Sequence, residues 1–130
     1  MADDRFARGW KTVEQINGPG AQAIQDALKD IAPDFAKLLV EFAFGDIYAR
    51  PGLSLREREI ATIAALTAKG DALPQLKAHI EGGLNVGLTK DEIVEIIMQM
   101  AIYSGVPAVL NALEQARAVF ADRGSNAPAS

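Results

Sequence analysis

SLREREIATIAALTAKG, residues 54–70, followed shortly by LKAHIEGG, residues 76–83, decides how this chain folds. Ser54 and Glu57 form a capping box, the serine oxygen taking one free amide while the glutamate returns to another, so a helix starts near Leu55 and ends before Gly70. Glu59 has Leu55 four residues before it, Thr62 and Ile63 three and four after it and Leu66 seven after it. It therefore points with the apolar stripe of its helix. A carboxylate there must be paired or protonated: burial disfavours the anion and can make a general acid or base. The alternative is an internal salt bridge, with Arg56 and Arg58 as the local candidates. His79 lies one turn beyond Gln75 and Leu76 and one turn before Gly82 and Gly83, whose missing side chains leave room beside the ring for a helix or a ligand. Histidine exchanges a proton readily near pH 7. By position alone, a lone helical histidine is more often a hydrogen-bonded structural residue than a catalyst.

Outward from this pair the pattern stays helical, with apolar residues recurring at spacings of three and four, and an all-α protein is expected. A first helix covers residues 4–16 and stops at Asn17-Gly18-Pro19-Gly20, and a short second one covers residues 21–31. Pro33 suits the first turn of a third helix carrying Phe35, Leu38, Leu39 and Phe42 on one face. A fifth helix runs from Leu73 to Glu81 and is stopped by Gly82-Gly83; Thr89 and Glu92 make a second capping box that opens a sixth. The last helix, residues 107–121, has Val106, Val109, Leu110, Leu113 and Phe120 on one stripe, with Ala108, Ala112 and Val119 off it. One domain is expected over residues 1–123, and 124–130 read as a disordered tail. Several helices are apolar around more of their circumference than one packed face needs, which points to a homo-oligomer.

Composition narrows the functional classes. The 130 residues are 49% hydrophobic, 6% aromatic and 23% charged, with a net charge of −4 and no cysteine. Thiol catalysis, iron–sulfur clusters and disulfides are thereby excluded. The basic residues form no dense stripe, so no nucleic-acid partner is expected. The start, MADDRFARGW, lacks the apolar core of a signal peptide, and the best apolar run, residues 60–68, is too short for a bilayer. No membrane partner is expected, and the default location is the cytoplasm. Arg50, Arg56 and Arg58 bracket the turn into the central helix, with Tyr48 just before it. Guanidinium groups hold carboxylates in bidentate fashion, so a small anionic substrate fits here, although any single arginine is more often a solvated surface charge. One histidine without cysteine is a poor ligand set, so no metal is expected, and Asp91, Glu92 and Glu95 read as a dipole-complementing helix start.

Four segments, EFAFGDIYARPGL (41–53), LREREIATIAALTAKG (55–70), LKAHIEGGLNVGLTKDEI (76–93) and MQMAIYSGVPA (98–108), together resemble the carboxymuconolactone decarboxylase family. The resemblance covers residues 33–120, and the N-terminal helix with Trp10 is similar to the short decarboxylase type. The related alkylhydroperoxidase D branch carries a glutamate, a CxxC pair and then a histidine. Counting back from His79, that pair falls at Ala72 and Gln75, so its disulfide chemistry is closed to this chain. The resemblance implies an alkylhydroperoxidase D-like bundle of about six to seven helices, assembled as a homo-trimer or homo-hexamer. It implies conversion of 4-carboxymuconolactone to the enol-lactone of 3-oxoadipate, with loss of carbon dioxide and no cofactor, in protocatechuate breakdown. It further implies that Arg56 or Arg58, with Arg50, orients the substrate's carboxylates beside Tyr48. His79 would donate or protonate, and Glu59 would fix the histidine tautomer or accept its proton. A related lyase or isomerase on another small carboxylated lactone or enone, or a non-catalytic oligomeric binding protein, are the alternatives.

Overall fold

A computed structural model describes residues 4–126, and every regular element among them is helical. The contacts gather into two compact units, one ending at Leu55 and the other beginning at Arg56. Of the expected tail, residues 127–130 lie outside the described residues, whereas 124–126 continue the last helix.

The first unit opens with α1 (Arg5–Asn17), whose N-cap Asp4 accepts a hydrogen bond from the Ala7 amide at 3.1 Å. A 3-10 turn (Gly18–Gly20) ends it, as the glycines and proline dictate, and α2 (Ala23–Leu28) and α3 (Pro33–Leu39) follow. At Val40 the chain changes gait: Val40–Tyr48 is a π-helix. Its wider turns stack residues four and five apart, and the buried side is Ala36, Val40, Phe44 and Gly45. The face expected at ordinary helical period is the outer one, with Phe35, Leu38 and Phe42 more than half exposed.

The π segment lies directly on α1, backbone to backbone. A Cβ built on Gly9 would sit 2.2 Å from the Val40 carbonyl oxygen, and one on Gly45 would sit 2.7 Å from the Arg5 carbonyl oxygen. Only glycine permits that approach at either position. Asp46 pins the same junction from outside, accepting from Arg5 Nη2 at 2.6 Å and from Arg8 Nη2 at 3.1 Å. The Arg5 hydrogen bond holds the Asp46 carboxyl below its ordinary range.

The second unit is built on α4 (Leu55–Lys69), α5 (Leu73–Asn85), α6 (Lys90–Gln99), α7 (Ala101–Ser104) and α8 (Val106–Asn126). Counted as continuous runs, with α3 joined to the π segment and α6 to α7, the described residues form the seven helices of the upper expectation. The core joins Ile63 of α4, Leu76 and Ile80 of α5, Ile93 and Ile97 of α6 and Val109, Ala112, Ala116 and Val119 of α8. The capping box of Thr89 and Glu92 is present with both of its hydrogen bonds.

Two expectations fail here. The α5 helix does not stop at Gly82-Gly83 but runs to Asn85, and Gly87, at φ 107°, follows its end. Both of those glycines are buried; a Cβ on Gly83 would lie 2.9 Å from Leu88 Cδ1 and 3.2 Å from Ile63 Cδ1, so its bareness seats core side chains. On α8 the packed stripe is Val109, Ala112, Ala116 and Val119, while Val106 and Leu110 are more than half exposed. Small residues let α8 approach α5 and α6, and Leu113 and Phe120 of the expected stripe pack, partly buried, against the same core.

Thr67 completes the buried face of α4 with Glu59 and Ile63. Thr12 and Thr62 each return a hydroxyl to the carbonyl four residues back, but the buried Thr67 Oγ1 has no partner among the described residues. Leaving a buried hydroxyl unsatisfied costs ~1–3 kcal/mol. Thr67→Val keeps the shape and removes the hydroxyl, and is expected to raise stability by ~1 kcal/mol in urea titrations. A loss of stability would mean that Thr67 is satisfied in solution.

Candidate active site

The α4 helix delivers Glu59 inward because its period sets residues 59, 63 and 67 on one face. The glutamate side chain has no solvent exposure, and what meets it is the histidine of α5. His79 Nδ1 lies 2.9 Å from Glu59 Oε2 and 3.2 Å from Oε1, and the His79 side chain keeps 25% of its surface. Burying an isolated carboxylate costs several kcal/mol, so this partner is what makes the position tolerable.

The contact fixes the chemistry of the ring. With Glu59 ionised the carboxylate can only accept, so Nδ1 then carries the hydrogen, and in the neutral imidazole Nε2 is the nitrogen that takes up a proton. When the ring is protonated, Glu59 supplies the counter-charge. A buried acid fixing the tautomer of a partly exposed histidine is an arrangement for moving protons at Nε2.

The alternative reading, a salt bridge between Glu59 and a neighbouring arginine, is met for Arg56 by a different pairing. Arg56 Nη2 donates to Glu92 Oε2, and Glu92 also serves the Thr89 cap. The Thr89 backbone amide is the main cause that lowers the Glu92 carboxyl below its ordinary range, and Arg56 adds to it. Arg56 thus borders a shallow depression rimmed by Asp91, Glu92 and Glu95, a poor place for another carboxylate. Arg58, on the same helix, is half-buried, its Nε shielded from solvent.

Tyr48 and Arg50 belong to the first unit, at the end of the π segment and in the turn after it. They line a cleft of about 530 Å³ whose other wall is α1, through Arg8, Lys11, Thr12 and Gln15. Those four α1 residues were not picked out in the sequence. Their spacing of three, four and seven, a polar stripe beside the buried Gly9, Val13 and Ile16, is the signal that marks them. Among the described residues no group of three or more His, Asp or Glu side chains is placed to hold a metal ion, and no helix is long and apolar enough to cross a membrane.

Comparison with known proteins bears on this geometry. Residues 33–118 match the carboxymuconolactone decarboxylase family. The chain is 39% identical over 123 residues to the 4-carboxymuconolactone decarboxylase of Acinetobacter baylyi, covering 94% of this chain and 91% of that protein. It is 38% identical over 97 residues to an uncharacterised 15.0 kDa protein of Paracoccus denitrificans, covering 74% of this chain and 72% of that one. It is 30% identical over 97 residues to the nitrosuccinic acid decarboxylase of Metarhizium robertsii, covering 72% of this chain and 67% of that one.

Proposed function

This chain belongs to the carboxymuconolactone decarboxylase family, with its alkylhydroperoxidase D-like fold, and we propose that it is a carboxy-lyase using the Glu59–His79 pair as its proton device. The observation that carries the reading is the 2.9 Å contact between a fully buried carboxylate and a partly exposed imidazole. The substrate we propose is 4-carboxymuconolactone, and the product is the enol-lactone of 3-oxoadipate, formed without a cofactor.

In that substrate the departing carboxylate sits on a ring carbon conjugated through a double bond to the lactone carbonyl. The carbon–carbon bond to the carboxyl breaks, carbon dioxide leaves, and the electron pair passes into the ring as an oxyanion. Protonated His79 then gives its Nε2 proton to the carbon next to the carbonyl, and solvent restores it. Glu59 holds Nδ1–H and balances the charge of the imidazolium before that transfer. Arg58 orients a carboxylate, whereas Arg56 is engaged by Glu92. A positioned general acid contributes about 10²–10⁴-fold to rate.

A second reading is favoured by the likeness to a nitrosuccinic acid decarboxylase: the same pair acting on another small carboxylate whose departing electron pair is accepted by a neighbouring group. One experiment separates the two. Carbon dioxide release and loss of ultraviolet absorbance are followed with 4-carboxymuconolactone and with nitrosuccinate. Turnover of the lactone supports the first reading, turnover of nitrosuccinate alone supports the second, and turnover of neither argues against a carboxy-lyase.

The reading includes a homo-oligomer, a trimer or a hexamer. Its support is apolar surface that the monomer leaves open: Phe35, Leu38 and Phe42 in the first unit, and Ile102, Tyr103, Val106 and Leu110 in the second, each at least 54% exposed. Equilibrium sedimentation is expected to give three or six times the chain mass of 13.8 kDa. A species of one chain mass at micromolar concentration contradicts this.

A further inference from the structure

Both carboxylate oxygens of Glu59 face one ring nitrogen, with His79 Nδ1 2.9 Å from Oε2 and 3.2 Å from Oε1. Arg56 stands three residues earlier on the same helix. Side chains three apart on a helix are neighbours, so the glutamate is within its reach. A guanidinium keeps its charge at every working pH and holds a carboxylate by two parallel hydrogen bonds, whereas an imidazole is charged only when protonated. For a buried carboxylate Arg56 is therefore the stronger counter-ion, and a bidentate pair with it would occupy both oxygens that now face Nδ1.

Arg56 nevertheless turns away from Glu59. Its Nη2 donates to Glu92 Oε2 on α6, and Glu92 is itself held in place, its Oε1 accepting from the Thr89 amide at 2.9 Å. The capping box thus presents a fixed carboxylate to Arg56 from another helix. The Thr89 amide, with a smaller contribution from Arg56, lowers the Glu92 carboxyl below its ordinary range, so that anion persists into mildly acidic solution. We propose that Glu92 is a positioning residue for the proton device: by engaging Arg56 it keeps that guanidinium off Glu59 and leaves the buried carboxylate to His79. The Arg56–Glu92 bridge then acts by diverting a competitor, not by clamping α4 to α6. This rests on reading Glu59 and His79 as the proton device, but the ring itself reports it without any substrate.

The test is nuclear magnetic resonance of the full-length, nitrogen-15-labelled protein, in which His79 is the sole histidine and its ring signals need no assignment. Glu92→Gln keeps an amide oxygen that can accept from Thr89, so the cap remains and only the anion opposite Arg56 is lost. With the ring neutral, the ratio of Nδ1–H to Nε2–H is expected to fall roughly fivefold in this variant, the equilibrium factor of one partly exposed ion pair. The Nδ1–H proton is expected to move upfield as its hydrogen bond to Glu59 weakens. Arg56→Gln alone is expected to leave the ring as in the wild type, and Glu92→Gln combined with Arg56→Gln to restore it, because the competitor is gone. A wild-type ring in Glu92→Gln would overturn the proposal. So would equal disturbance in Arg56→Gln and Glu92→Gln with no restoration in the double variant, the pattern of a structural clamp. Loss of the carboxy-lyase reading is seen separately: a protein that turns over neither lactone nor nitrosuccinate, yet shows this pattern of ring signals, keeps the role of Glu92.

Discussion

Replacing Glu59 with glutamine is expected to lower kcat by about 10²-fold or more while leaving the protein folded. The amide oxygen of glutamine can still accept from His79 Nδ1–H, so the ring keeps its tautomer and the helices keep their packing. What disappears is the negative charge opposite the imidazolium. A purely structural glutamate would leave kcat unchanged in this variant. Glu59→Ala is a harsher change, since it removes the partner of a ring nitrogen and opens a void on the buried face of α4. Lost activity in Glu59→Ala with a normal rate in Glu59→Gln would assign Glu59 to stability alone.

Gly9→Ala is expected to be the most damaging single-methyl substitution in the first unit. The added carbon would lie 2.2 Å from the Val40 oxygen, 2.9 Å from its carbonyl carbon and 3.0 Å from the Gly45 nitrogen. All three are backbone atoms, so no side chain can rotate away; α1 must lift off the π segment. Overpacking against flexible neighbours costs ~1–3 kcal/mol, and a backbone obstacle belongs at or above the top of that range. The buried Val13 and Ile16 of α1, and the Asp46 bridges to Arg5 and Arg8, loosen with it. Chemical denaturation is expected to show a loss of about 3 kcal/mol or more. Gly20→Ala, with nothing within 4 Å of the new carbon, is the control and is expected to stay within ~0.5 kcal/mol of wild type. Equal stability of the two variants would mean that α1 and the π segment are not in backbone contact.

Both predictions turn on features of very different legibility in the sequence. Glu59 could be read inward because α4 keeps one regular period, and the cap at Thr89 could be read because a capping box is local chemistry. The partner of Glu59 was harder: it lies 20 residues away on another helix, and the neighbouring arginines looked equally able to serve. Arg56 is taken by Glu92, 36 residues on, a pairing that no spacing on α4 announces.

Where the sequence misled, the period was the cause. Phe35, Leu38 and Phe42 make a convincing face at 3.6 residues per turn, but the helix widens at Val40 and buries Ala36, Val40 and Phe44 instead. On α8 hydrophobicity favoured the bulky residues, while close packing selected Ala112 and Ala116. Gly82-Gly83 read as a stop, yet glycine inside a helix also marks the place where something packs close, here Leu88 and Ile63 on Gly83. The cationic side of the cleft was hidden for a related reason: Arg8 and Lys11 meet Arg50 only because α1 is pinned to the far end of the π segment.

The central claim is that His79 carries the proton of the reaction. Its most direct test is carbon dioxide release from 4-carboxymuconolactone by the wild-type protein and by His79→Gln, compared at equal melting temperature. The wild type is expected to turn the lactone over and the variant to lose at least about 10²-fold; turnover of the lactone that is the same in both proteins would contradict this role of His79.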